Sequence, residues 1–177
     1  NKRVAMTLMG GGACWDEPSC HGLVNMTRLE LIDAPPISTG FLSEIPFLSP
    51  VSDWSMVFIP YCTGDVHLGA HKTRYSNGKT VHHMGRVNFQ KTVEYLSSEG
   101  LIDFKNLDRF AIYGYSAGAI GALIHAHSVE PYLGASTKKT LIADSPGLHF
   151  GKNFWKKFSP QLIHDYAEAL SLFGITL

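Results

Sequence analysis

Ser116 lies in Gly114-Tyr115-Ser116-Ala117-Gly118, a G-x-S-x-G pentapeptide. A serine hydroxyl can act as a nucleophile when a sharp strand-to-helix turn lifts it clear of the main chain, and the positions two away on either side must then be small. Gly114, Gly118 and the short Ala117 meet that demand. The same residues also suit an ordinary glycine-rich turn in which the serine caps a helix. A second run, Gly10-Gly11-Gly12, offers main-chain N–H groups with no Cβ to keep a substrate oxygen away. Alone it reads equally as a flexible strand end. Together the two runs point to acyl transfer, with a serine attacking a carbonyl while bare amides hold the developing oxyanion.

A hydroxyl nucleophile needs a base, and the base needs an orienting acid. After Ser116 the acids are Glu130, Asp144, Asp165 and Glu168, and the histidines are His125, His127, His149 and His164. Asp144 closes an apolar run beyond the serine and would reach the same sheet edge, so it is the in-chain candidate for the acid. His149 is the in-chain candidate for the base, although it follows Asp144 closely. His125 and His127 fall on the segment after the serine, where packing or solvent explains them. His67, His71, His82 and His83, near Cys62 and Asp65, have metal-ligating side chains. A pair four apart binds metal from a helix, however, and Gly69 breaks any helix there. No metal and no cofactor is therefore assigned. Cys14 and Cys20 bracket a short loop containing Pro18, which suits either a disulfide or two reduced thiols.

Strands and helices must position these groups. Val4–Met9, Ser55–Tyr61, Phe110–Tyr113 and Thr140–Asp144 are short apolar runs without clean alternation, as expected of strands covered on both faces. Between them, Arg86–Glu99 places Phe89, Val93 and Leu96 on one helical face and is followed by Gly100. Residues 117–126 are apolar all round and read as a buried helix, and Pro160–Phe173 reads as another, capped by Ser159. Strands alternating with helices imply an α/β fold, a mostly parallel sheet with helices on both faces. Residues 62–84 show no periodicity and read as a long functional loop. In α/β-hydrolases the glycine loop follows the third strand, so the chain reads as an incomplete copy of that fold, one domain over 1–177.

Composition sets outer limits. The chain has 177 residues, 45% of them hydrophobic, enough for a core. Fifteen basic and fifteen acidic side chains cancel, leaving no basic excess to displace counterions from nucleic acid. The uncharged stretch 110–129 has the length of a membrane span, but Gly114, Ser116, Gly118 and Gly121 divide it into strand, turn and helix, so no span is expected. Residues 1–9 are too short in apolar core for a signal peptide; an export signal would lie upstream. Asn25-Met26-Thr27 is a glycosylation sequon.

Four blocks resemble the pectin acetylesterase/Notum family of secreted carboxylesterases: Gly10-Gly11-Gly12-Ala13-Cys14-Trp15, Pro60-Tyr61-Cys62-Thr63-Gly64-Asp65, Gly114-Tyr115-Ser116-Ala117-Gly118-Ala119 and Ala143-Asp144-Ser145. The resemblance implies that Ser116 is the nucleophile and that amides at Gly11, Gly12 and Ala117 form the oxyanion hole. It implies a Cys14–Cys20 disulfide, an unpaired Cys62, and a substrate pocket bordered by Asp65, Tyr115 and Asp144. The triad acid and histidine would come from a C-terminal part beyond residue 177, which lowers the claim of Asp144. The implied partner is an acylated polysaccharide or another O-acyl ester, met outside the cytoplasm. A lipid-acyl esterase and an inactive hydrolase-fold binding module are the alternatives. Ala13 departs from the Trp of plant members.

Overall fold

The apolar runs assemble side by side into one parallel sheet. The computed structural model describes residues 1–14, 16–21, 41, 43, 45, 47–147, 152–153, 156 and 158–171. In chain order these form β1 (Arg3–Leu8), α1 (Glu17–His21), β2 (Ser55–Ile59), β3 (His71–Arg74), β4 (Thr80–His83), α2 (Gly85–Ser98), β5 (Arg109–Tyr115), α3 (Ala117–Val129), β6 (Lys138–Asp144) and α4 (Pro160–Ser171). The main sheet runs β2-β1-β5-β6. All three of its pairings are parallel, with Leu8 beside Ile59 and Gly114, and Tyr115 beside Asp144. Met9, Gly114–Tyr115 and Asp144 thus reach the same carboxyl edge, where ligands bind in open α/β sheets.

Val4, Met6, Leu8, Phe110 and Ile112 point to one face and meet Phe89 and Val93 of α2 and Ala122 and Val129 of α3. Burying a side chain such as Phe89 or Val93 contributes about 1.5–3 kcal/mol. On the opposite face, Ala5 and Ala111 pack with Val51, Phe41 and Trp54 from the segment before β2. Gly100, with φ of 65°, ends α2, and its N–H donates to the Ser97 carbonyl. The N–H of Leu162 donates to Ser159 Oγ, so Ser159 caps α4.

Residues 62–84 correct the expectation of an aperiodic loop. They contain the antiparallel hairpin β3–β4, with His71 opposite His83 and Lys72 opposite His82. The β4 burial pattern alternates, with Val81 and His83 inward. The period of two was present, but its inward positions include a histidine, which hydrophobicity alone passes over. The turn residue Gly78, with φ of 79°, closes the hairpin by donating its N–H to the Tyr75 carbonyl.

No helix among the described residues is long and apolar enough to cross a membrane. The uncharged stretch breaks at Ser116 into β5 and α3. Trp15, the sequon at Asn25, His149 and Trp155 lie outside the described residues.

Candidate active site

Ser116 stands between the end of β5 and the start of α3 with φ of 54° and ψ of −123°. That conformation costs a non-glycine residue roughly 1–3 kcal/mol and persists only where its surroundings enforce it. The enforcement is visible in the flanking glycines. A Cβ at Gly114 would stand 2.0 Å from the Gly118 carbonyl oxygen, and one at Gly118 would stand 2.1 Å from the Leu8 carbonyl oxygen. Both obstacles are main chain, so neither can swing aside. The Ser116 N–H donates to the Asp144 carbonyl at 2.9 Å, and the Ala119 N–H donates to the Ser116 carbonyl. Ser116 is exposed, while Ala117, Gly118 and Ala119 behind it are buried. The bend therefore presents the serine outward from a packed helix start.

Gly10–Gly12 continue from β1 directly alongside. A Cβ on Gly10 would lie 2.7 Å from the Tyr115 carbonyl oxygen, so this glycine is in contact with the residue preceding Ser116. Gly12 has φ of 76° and, like Gly11, is exposed. Ala117 is the first residue of α3, and the N–H groups of a first helical turn have no intrahelical acceptor. The sequence-predicted donors Gly11, Gly12 and Ala117 thus come to the same sheet edge as Ser116.

Asp65 departs from the expectation of a pocket-lining acid. Its side chain is fully buried. Oδ1 accepts from Thr63 Oγ1 at 2.5 Å and the His67 N–H at 3.0 Å, while Oδ2 accepts from the Gly69 N–H at 3.0 Å and the Gly85 N–H at 2.7 Å. A carboxylate so enclosed by donors organises the chain around it and has no face left for substrate. Tyr115 is half-buried at the elbow, and its ring lies 6.3 Å from that of Tyr113. Asp144 is exposed, its Oδ1 accepting from Ser145 Oγ at 2.9 Å.

The histidines separate by environment. His125 is buried and stacks on Phe89 at 3.9 Å, and its Nε2–H donates to the His67 carbonyl at 2.7 Å. Burial pushes its pKa down to about 3, so the ring is neutral. His67 is likewise buried, with burial lowering its pKa, and its Nε2–H donates to the Met9 carbonyl at 2.8 Å. His127 is exposed near Glu130. Among the described residues none of these imidazoles is hydrogen-bonded to Ser116.

One pairing was not anticipated. Asp165 of α4 accepts from His71 Nδ1 at 2.5 Å and from the Ala70 N–H at 2.8 Å, which docks α4 on the hairpin. Partners 94 residues apart carry no local signature. Cys14 and Cys20 form a disulfide, and Cys62 is free, its thiol pKa raised by burial and then by the Asp65 charge. Cys14, Cys20 and His83 bring their ligand atoms within 4.8 Å, but both sulfurs are committed to the disulfide.

A family model described as pectinacetylesterase matches residues 1–159. The chain is 34% identical to the palmitoleoyl-protein carboxylesterase notum1a of Danio rerio, over 75% of this chain and 27% of that protein. It is 32% identical to the human palmitoleoyl-protein carboxylesterase NOTUM, over 75% of this chain and 27% of that protein. It is 26% identical to pectin acetylesterase 5 of Arabidopsis thaliana, over 77% and 32%. The chain thus spans about a third or less of the curated relatives it matches. The fold is similar to a solved structure of the Wnt deacylase Notum from Drosophila, with a TM-score of 0.68 and 19% identity, covering all of this chain and 53% of that one.

Proposed function

The chain belongs to the pectinacetylesterase family, and from that membership and the elbow geometry we propose that it acts as a serine carboxylesterase on O-acyl esters. The observation that carries this reading is the outward Ser116 at φ of 54°, held between two glycines that no larger residue can replace. In the proposed reaction Ser116 Oγ attacks the ester carbonyl and gives its proton to a histidine base. The carbonyl oxygen takes up negative charge and is met by main-chain N–H groups of Gly11, Gly12 and Ala117, each such donor being worth about 3–4 kcal/mol in the transition state. The alcohol leaves with the proton, and water then releases the acid from Ser116. The family resemblance assigns the base and its acid to a C-terminal region.

An O-acetyl ester of a polysaccharide is the proposed substrate, following the pectin acetylesterase name of the family. The greater identity to the palmitoleoyl-protein carboxylesterases supports a lipid acyl ester as the second reading. The Cys14–Cys20 disulfide supports an oxidising, extracytoplasmic setting.

A fluorophosphonate probe tests the reaction class. It should label the peptide bearing Ser116 and fail to label a Ser116→Ala variant, which should also lose turnover of para-nitrophenyl acetate. Near-normal turnover in that variant would end the proposal, and a folded wild type that resists the probe would favour the inactive binding module.

A further inference from the structure

We propose that Tyr61, braced by the buried carboxylate of Asp65, is the positioning residue that holds the Gly11–Gly12 amides ready for the ester oxygen; this rests on the esterase reading above. Three successive glycines are the least rigid peptide a chain can offer, so a useful oxyanion loop needs its rigidity from outside. Here that rigidity comes from residues 61–67.

The glycine run is held at three points. His67 Nε2–H donates to the Met9 carbonyl at 2.8 Å on its near side. The Cys14 N–H donates to the Gly64 carbonyl at 2.7 Å on its far side. Between them the Tyr61 hydroxyl donates to the Gly12 carbonyl at 2.9 Å while accepting from the Val66 N–H at 2.8 Å. One phenol oxygen thus joins the two loops. The Tyr61 ring also backs Gly11, where a Cβ would come within 2.8 Å of Cδ1. Burial, then the Asp65 charge, raise the Tyr61 pKa well above the ordinary phenol value, which keeps the donor proton in place.

The clamp needs an unusual backbone. Val66 and His67 have φ of 50° and 65°, in the left-handed region that residues with a Cβ avoid. Asp65 imposes it by accepting from Thr63, His67, Gly69 and Gly85 at once. Gly69 and Gly85 must lack a side chain for this, since a Cβ on either would reach 2.5 Å from an Asp65 carboxylate oxygen. The buried acid therefore acts two steps from the reaction: it shapes the turn, and the turn presents Tyr61 and His67 to the glycine loop.

Tyr61→Phe removes the bridging hydroxyl and keeps the ring. Amide order parameters at Gly11 and Gly12 should fall from about 0.85 to below about 0.6. The kcat for para-nitrophenyl acetate should fall about tenfold with KM unchanged, since transition-state donors are what is lost. A folded Tyr61→Phe protein with rigid glycine amides and normal kcat, or one altered only in KM, would overturn the proposal. A wild-type protein that neither turns over ester nor labels at Ser116 would sink the esterase reading, while the order parameters still decide the clamp. Should Tyr61→Phe not fold, Thr63→Val removes one donor to Asp65 and takes the same two measurements, and wild-type values there overturn the proposal.

Discussion

The Ser116 N–H donates to the carbonyl oxygen of Asp144, 2.9 Å away. The last residue of β6 thereby fixes the turn that follows β5, and it does so through its main chain. The Asp144 side chain faces solvent and is bonded to Ser145. The structural contribution of position 144 is separable from its charge.

Asp144→Asn should therefore leave the elbow intact. Turnover of para-nitrophenyl acetate is expected to change by less than about threefold, whereas amidation of a triad acid costs on the order of 10⁴ in kcat. Steady-state kinetics of the single variant distinguishes the two, and a drop of the larger size would make Asp144 the acid.

The strain at Ser116 has a thermodynamic signature. A glycine at that position adopts φ of 54° without a Cβ penalty. Ser116→Gly should be inactive yet more stable than Ser116→Ala by about 1 kcal/mol, a melting difference of roughly 2–4 °C for a chain of this size. Equal melting temperatures would mean that the turn is not strained.

The Cys14–Cys20 bond spans a separation of 6 residues and sits just after the glycine loop. Closing so short a loop restricts the unfolded chain by about 2 kcal/mol in the chain-entropy account. The paired Cys14→Ser, Cys20→Ser variant should lose about that much stability in urea unfolding. It should also weaken the Cys14–Gly64 main-chain bond and with it the far anchor of the glycine run. A variant as stable as the parent would show that residues 14–20 hold their form without the bond.

The elbow was legible because its constraint is steric and local: Gly114 and Gly118 are needed by contacts within a few residues of Ser116 and one carbonyl of β1. The main-sheet strands and the helices α2, α3 and α4 were legible from local apolar patterning; Phe89 and Val93, for example, repeat at helical spacing and share a core with Met6 and Leu8. Asp65 was not. Three of its four donors are main-chain N–H groups, which every residue type possesses, so a buried organising acid and a pocket acid look alike in sequence. Asp165 was missed because its partner His71 lies on a hairpin whose inward face is partly histidine. Tyr61 lies in the Pro60–Asp65 block, but its hydroxyl bonds to backbone, at Gly12 and Val66, and leaves no pairing pattern in the sequence.

Buried neutral histidines make the fold sensitive to acid. His125 has a folded pKa of about 3 against 6.5 when free, chiefly because burial disfavours its charged form. Between those values the unfolded chain binds a proton that the folded chain does not. Its contribution is therefore complete above pH 6.5 and lost as pH falls toward 3. In that window His125 alone should give a slope of roughly 1.4 kcal/mol per pH unit. His67 and His83, also lowered first by burial, add in the same direction. Asp165 is held below its ordinary range by the Ala70 N–H and His71 despite its burial, so its share is present above pH 3.8 and disappears below that. Urea midpoints measured from pH 7.5 to 4.5 should hold level down to about pH 6.5 and fall steadily below it. His125→Gln keeps a donor for the His67 carbonyl but takes up no proton, so its midpoint should fall less steeply over the same range. A flat wild-type profile, or an identical slope in His125→Gln, would show that this ring is already open to solvent in the folded protein.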